Sequence, residues 1–86
     1  MANNIYSTII DLLEKRGPIP GKDDQERLAY NYLDAGHVDS INMIQFTLEI
    51  EELFGVVLTP EDTISEQFRS VRGLVQIVED KLRADR

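Results

Sequence analysis

The stretch "GHVDSINMIQFTLEIEELFG", Gly36–Gly55, decides the fold of this 86-residue chain. Successive residues of a helix turn by about 100°. With Phe46 at zero, Met43, Ile50, Leu53 and Phe54 fall within an arc of about 100°, with Thr47 at its edge. One such stripe is what a bundle helix buries. Ile41, Ile44 and Leu48 cluster roughly opposite, over an arc of about 60°, and Glu51 and Glu52 flank them. Asn42, Gln45 and Glu49 fill the polar remainder. The pattern predicts a helix over about residues 40–54, stopped by Gly55 and capped by Asp39, whose carboxylate suits orphan backbone N–H groups.

Two readings are open for the second apolar cluster. Another element covers it, or it stays exposed with a carboxylate rim, as a partner surface does. The helix start also has two readings. Asp39-Ser40 is a simple cap, or Ser40 Oγ is an attachment point at the mouth of a loop. A phosphodiester there would lie near the positive end of the helix dipole.

Towards the N-terminus, Ile5, Tyr6, Ile9, Ile10, Leu12 and Leu13 recur at helical spacing among Asp11, Glu14, Lys15 and Arg16. They predict an amphipathic helix over about residues 4–16, capped by Asn3 or Asn4 and stopped by Gly17, Pro18 and Pro20. Residues 17–38 hold no sustained period. They read as a long loop with room for one helical turn near Gln25–Ala29, pinned to the core by Leu33 and the tyrosines Tyr30 and Tyr32. A structureless loop of that length is uncommon in a compact domain and usually has a job. Towards the C-terminus, "VVLTPEDT" reads as an extended linker and a turn. A short helix is expected over about 64–68, and a last one over about 71–82, with Ser70 as cap and Val71, Leu74, Val75, Val78 and Leu82 on one face. The expected fold is all-α: a single domain over residues 1–86, built as a small four-helix bundle with a long first loop and a short third helix.

Composition narrows the function classes. There is no cysteine, which excludes disulfides, thiol nucleophiles and thiolate metal sites. No apolar run approaches the roughly 20 residues of a membrane span, and residues 1–20 lack the pattern of a secretory signal. A cytoplasmic, monomeric protein is expected. The net charge is −7. From Leu28 to Phe68 there is no Lys or Arg, but there are eight acids: Asp34, Asp39, Glu49, Glu51, Glu52, Glu61, Asp62 and Glu66. That field disfavours nucleic acid and anionic membranes. It either keeps a small protein soluble or steers basic protein surfaces to the middle of the chain. No catalytic constellation, metal-ligand cluster or Gly-rich phosphate loop is visible, so an enzyme is not expected. His37 reads as a loop residue and Met43 as core filler.

Taken together, "LDAGHVDSINMIQFTLEIEELFGVVLTPED" resembles the core of an acyl carrier protein. The resemblance covers roughly residues 28–82 and rests on an ordered set: Leu33 and Gly36 in the approach loop, Asp39-Ser40-Ile41, the Phe46/Ile50/Phe54 stripe, Glu51-Glu52, and Ser70-Val71. It implies that a phosphopantetheinyl transferase moves 4′-phosphopantetheine from coenzyme A to Ser40, and that Asp39 caps the helix and helps the transferase recognise the site. The arm would hold acyl or related intermediates as thioesters and present them to a loading enzyme and downstream biosynthetic enzymes. Ile41, Ile44 and Leu48 would be the apolar partner contacts, with Glu51 and Glu52 meeting Lys or Arg.

The sequence also departs from the family pattern. Fatty-acid-synthesis carriers usually read Asp-Ser-Leu, with acids two and five residues after the modified serine; here those places hold Ile41, Asn42 and Gln45. Peptidyl carriers usually have Gly-Gly where this chain has His37-Val38. The resemblance therefore leans towards a discrete carrier dedicated to a specialised pathway. Phe46, Phe54 and Phe68 would crowd the interior, giving weak sequestration of long chains. The alternatives are an aminoacyl or peptidyl carrier, and a carrier-like helical adaptor without a prosthetic group.

Overall fold

The computed structural model describes residues 2–39 and 41–84, with side chains from Ile5 onward. Among the described residues five α-helices follow one another: α1 (Ala2–Glu14), α2 (Asp24–Leu28), α3 (Met43–Phe54), α4 (Pro60–Ile64) and α5 (Val71–Ala84). A 3-10 turn, Glu66–Arg69, joins α4 to α5. Among the described residues the only β-type pairing is an isolated antiparallel bridge between Asn31 and Ser70.

Several boundaries differ from the sequence expectation. α1 begins at Ala2, so Asn3 and Asn4 lie inside the helix and not at its cap. After Glu14 the chain continues as turns, with Arg16 N–H donating to the Leu13 carbonyl and Gly17 N–H to that of Glu14. The helical turn of the long loop forms as α2, because the Asp23 carboxylate accepts the Glu26 N–H at 3.0 Å. The third helix is placed differently. Instead of one helix over 64–68, α4 begins at Pro60 inside the stretch read as linker and turn, and the 3-10 turn follows it. The reason is a capping box. The Thr59 hydroxyl accepts the Asp62 N–H at 3.1 Å, and the Asp62 carboxylate accepts the Thr59 N–H at 2.8 Å. Pro60 occupies the first helical position, where its missing N–H costs nothing.

The core joins Ile5, Ile9, Leu12 and Leu13 of α1 to Val71, Leu74, Ile77 and Val78 of α5, with Phe46 and Ile50 of α3 closing it. α1 packs along α5, and α5 against the 3-10 turn. The Ser70 hydroxyl accepts the Gly73 N–H at 3.1 Å and so caps α5. Gly73 is required by proximity: a Cβ there would stand 1.9 Å from the Gln67 carbonyl oxygen.

The long loop is fastened to the same core. Tyr32 is fully buried between Phe46 and Phe68, with ring centroids at 5.5 and 6.4 Å. Its hydroxyl donates to the Phe68 carbonyl, which satisfies the one polar atom that burial would otherwise penalise. Burial pushes the phenol well above its ordinary pKa. Backbone bonds from Val71 N–H to the Tyr30 carbonyl and from Leu33 N–H to the Arg69 carbonyl complete the attachment.

α4 is tied to α5 by Lys81 Nζ, 2.7 Å from Asp62 Oδ2. Partial burial opposes the Asp62 charge, but the Lys81 ammonium and the hydrogen bonds from Thr59 outweigh it. They hold the carboxyl below its ordinary pKa of 3.8.

Gly73→Ala is expected to cost about 1–3 kcal/mol through the clash with the Gln67 backbone. In a thermal melt that is a fall of roughly 10 °C in Tm for a domain of this size. Asp62→Asn keeps an amide oxygen for the Thr59 N–H but removes the charge that pairs with Lys81 and strengthens the capping box, at about 1 kcal/mol at neutral pH. Because the folded pKa is depressed, the wild-type advantage is full above the ordinary carboxylate pKa and disappears as the pH falls through the folded value. Melts of both proteins along a descending pH series should therefore converge in acid.

Candidate functional site

The approach to α3 is a compact loop. His37 N–H and Val38 N–H both donate to the Tyr32 carbonyl, at 2.9 and 3.4 Å. Gly36 supplies the left-handed turn, at φ +78. The Val38 side chain is buried. His37 bridges two elements: its Nε2 donates to the Leu13 carbonyl at 2.8 Å, and its Nδ1 lies 3.0 Å from the Tyr30 hydroxyl. Both ring nitrogens are occupied by structural contacts. The loop thus rests on the end of α1 and delivers Asp39 to the surface.

At the surface, Asp39 Oδ1 accepts the Asn42 backbone N–H at 2.9 Å and the Asn42 side-chain amide at 3.0 Å. Asn42 already has right-handed helical dihedrals (φ −81, ψ −10), and its carbonyl accepts the Phe46 N–H. Regular α-helix begins at Met43, and the Asp39 carboxylate reaches the residue just before it. Ser40 itself lies outside the described residues. Its neighbours Asp39 and Ile41 are both exposed.

The two faces of α3 separate clearly. Phe46 and Ile50 are buried and Met43 and Phe54 half-buried. Leu53, assigned above to the inner stripe, is 56% exposed. It sits at the margin of that stripe shared with Glu49, while the core reaches α3 from the Met43/Phe54 side. On the outer face Ile41 is 85% exposed, Ile44 71% and Leu48 52%, so among the described residues no other element covers this cluster. Met43, Ile44, Thr47 and Leu48 form one wall of an open apolar groove of about 310 Å3, and Leu58, Pro60 and Thr63 form the other.

The acids of the middle segment divide by environment. Asp34 pairs with Arg69 at 2.8 Å, Glu49 with Arg16 at 3.3 Å and Asp62 with Lys81. Glu51 Oε2 accepts the Leu58 N–H at 2.8 Å. Among the described residues Glu52, Glu61 and Glu66 make no salt bridge, and all three are exposed. The field at the surface is therefore narrower than the sequence count.

Arg16 is a residue the sequence reading passed over. Besides Glu49 it donates to the Leu12 carbonyl and lies over the Phe46 ring at 5.4 Å, joining the end of α1 to α3. No spacing in the sequence signals a contact across that distance. Among the described residues no group of three or more His, Asp or Glu side chains is arranged to hold a metal ion. No described helix is long and apolar enough to cross a membrane.

A family model described as "phosphopantetheine attachment site" matches residues 8–78. No curated protein sequence matches the chain.

The exposure of the outer face of α3 predicts an asymmetry in stability. Ile44→Ala and Leu48→Ala should each stay within about 0.5 kcal/mol of wild type in a denaturant melt. Phe46→Ala, which empties the aromatic core, should cost about 3–5 kcal/mol.

Proposed function

The chain belongs to the phosphopantetheine-attachment family, and from that premise we propose that Ser40 is the attachment residue and that the protein is an acyl carrier of a dedicated pathway. Members of this family are carrier domains, not catalysts, and the prosthetic group is 4′-phosphopantetheine.

The observation that carries the Ser40 assignment is the turn around it. Asp39 is locked onto Asn42 at the start of α3, and the exposed residues Asp39 and Ile41 flank position 40. The residues present fit a long polar arm: the flanks face solvent, and the apolar groove opens along the next turn of α3. When bound, the group supplies a terminal thiol that holds a carboxylic acid as a thioester. The chain's own residues orient and recognise. Asp39, held by Asn42, offers a fixed acidic contact for a transferase beside the attachment position. Ile41, Ile44 and Leu48 offer the apolar surface on which the transferase, a loading enzyme and later enzymes dock. Glu52 at the rim attracts basic groups, which governs encounter rate more than affinity. A modest docking area suits a shuttle that must leave each enzyme quickly.

Cargo is proposed from packing. Tyr32, Phe46 and Phe68 are fully buried and in mutual ring contact, which supports a cargo carried outside the core, not threaded into it. Asn42 and Gln45, where fatty-acid-synthesis carriers usually have acids, support a dedicated rather than a housekeeping role. An aminoacyl or peptidyl carrier shares all this geometry. Loading with amino acids by an adenylating enzyme, against loading with acyl groups, separates the two.

Incubation with coenzyme A and a promiscuous phosphopantetheinyl transferase should add one phosphopantetheine unit to the intact mass of the wild type and none to Ser40→Ala. An unchanged wild-type mass, or equal gain in Ser40→Ala, would support the adaptor without a prosthetic group instead.

A further inference from the structure

We propose that Glu51 is a positioning residue that acts from inside the fold. Its carboxylate holds the far wall of the apolar groove at its distance from α3, and the rim charge that partners sense is that of Glu52. The inference rests on the carrier reading for what the groove is used for.

Glu51 and Glu52 are neighbours in sequence, and both flank the outer apolar cluster, so periodicity treats them alike. Their surroundings differ. Glu52 is exposed and makes no salt bridge among the described residues. Glu51 is half-buried, and its Oε2 accepts the Leu58 N–H at 2.8 Å. Glu51 holds the linker a second time through its backbone, whose carbonyl accepts the Gly55 N–H at 2.9 Å. Gly55 takes the left-handed conformation, φ +67, that turns the chain out of the helix. The linker is therefore stapled to the last turns of α3 at Gly55 and again at Leu58.

Leu58 is the consequential point. It is 8% exposed and lies in the groove wall opposite Ile44 and Leu48. The next residue, Thr59, opens the capping box of α4. Fixing the Leu58 amide thus fixes where α4 starts and how far Pro60 and Thr63 stand from α3. Without the carboxylate, a part-buried N–H would lose its acceptor, and the wall would have to move to find water. A carboxylate oxygen committed to a backbone amide also offers less to an incoming Lys or Arg than the exposed one beside it.

The test compares Glu51→Gln, Glu51→Ala and Glu52→Gln in the full chain. It measures amide NMR spectra and the rate of mass gain with coenzyme A and a phosphopantetheinyl transferase across a salt series. Gln retains an acceptor oxygen but no charge. Glu51→Gln should therefore keep the Leu58 and Thr59 amide positions, the KM and the salt dependence of the wild type. Glu51→Ala should displace those amides and that of Thr63, and raise KM several-fold with kcat kept. Glu52→Gln should flatten the salt dependence and leave the amides in place. The proposal is overturned if Glu51→Gln flattens the salt dependence as Glu52→Gln does, which makes Glu51 a docking charge. It is equally overturned if Glu51→Ala leaves the groove amides and KM unchanged. A wild type that takes up no group sinks the carrier reading and with it the docking role. The amide spectra need no transferase and still decide whether Glu51 holds Leu58.

Discussion

The burial of Tyr32 is the constraint on which the arrangement depends. A loop that runs from Gly17 to Asp39 has few apolar residues with which to offset its ordering entropy. It buries Ile19, Tyr32 and Val38, and the largest of these inserts a full aromatic side chain between Phe46 and Phe68. The insertion is tolerated because the phenol hydroxyl meets the Phe68 carbonyl, so both polar atoms are satisfied out of water. Once Tyr32 is seated, its own carbonyl collects the N–H groups of His37 and Val38. His37 reaches the end of α1, and Asp39 arrives at the surface beside α3. The α4 and 3-10 region and the Asp39 turn are thereby referred to the same aromatic cluster. The groove and the Asp39 turn keep a fixed relation although they lie on separate segments.

Charge is distributed with a similar economy. Cations from outside the basic-free segment reach into it: Arg16 from the end of α1, Arg69 just beyond Phe68, and Lys81 from α5. Each joins two segments distant in sequence. Arg16 in addition covers the Phe46 ring and accounts for one carbonyl at the end of α1. The Arg69–Asp34 pair is exposed and contributes little stability, while the other two are part-buried. The effect of the three here is to withdraw Asp34, Glu49 and Asp62 from the external field. Among the described residues of the basic-free segment the acids without a salt bridge are Asp39 before α3, Glu51 and Glu52 near its outer face, and Glu61 and Glu66 around α4, a field suited to steering basic partners.

Most of the helices could be read in the sequence because their signals are local. The stripe of α5 behind Ser70, the apolar spacing of α1 and the Gly55 stop of α3 all lie within a few residues of the elements they specify. α4 was equally local, since Thr59-Pro60-Glu61-Asp62 spells a capping box with proline at the first position. It was misplaced because the apolar residues Ile64 and Phe68 drew the helix towards themselves. Phe68 belongs to a 3-10 turn, and Ile64 is 79% exposed. Leu53 failed for a different reason. A helical wheel assumes a core that fills the whole arc, and here it fills only one side.

By itself, the sequence determined the all-helical class, the two-faced character of α3, the Asp39-Ser40 signature and the excess of acid at mid-chain. Those are properties of composition and of spacing within a turn or two. Only the tertiary structure decided that Ile41, Ile44 and Leu48 stay open, that Tyr32 anchors the long loop, that Arg16 belongs to α3, and that Glu51 faces a backbone amide while Glu52 faces water. Each of these depends on which segment arrives opposite a side chain from seven to several tens of residues away. A linear pattern carries no record of that distance.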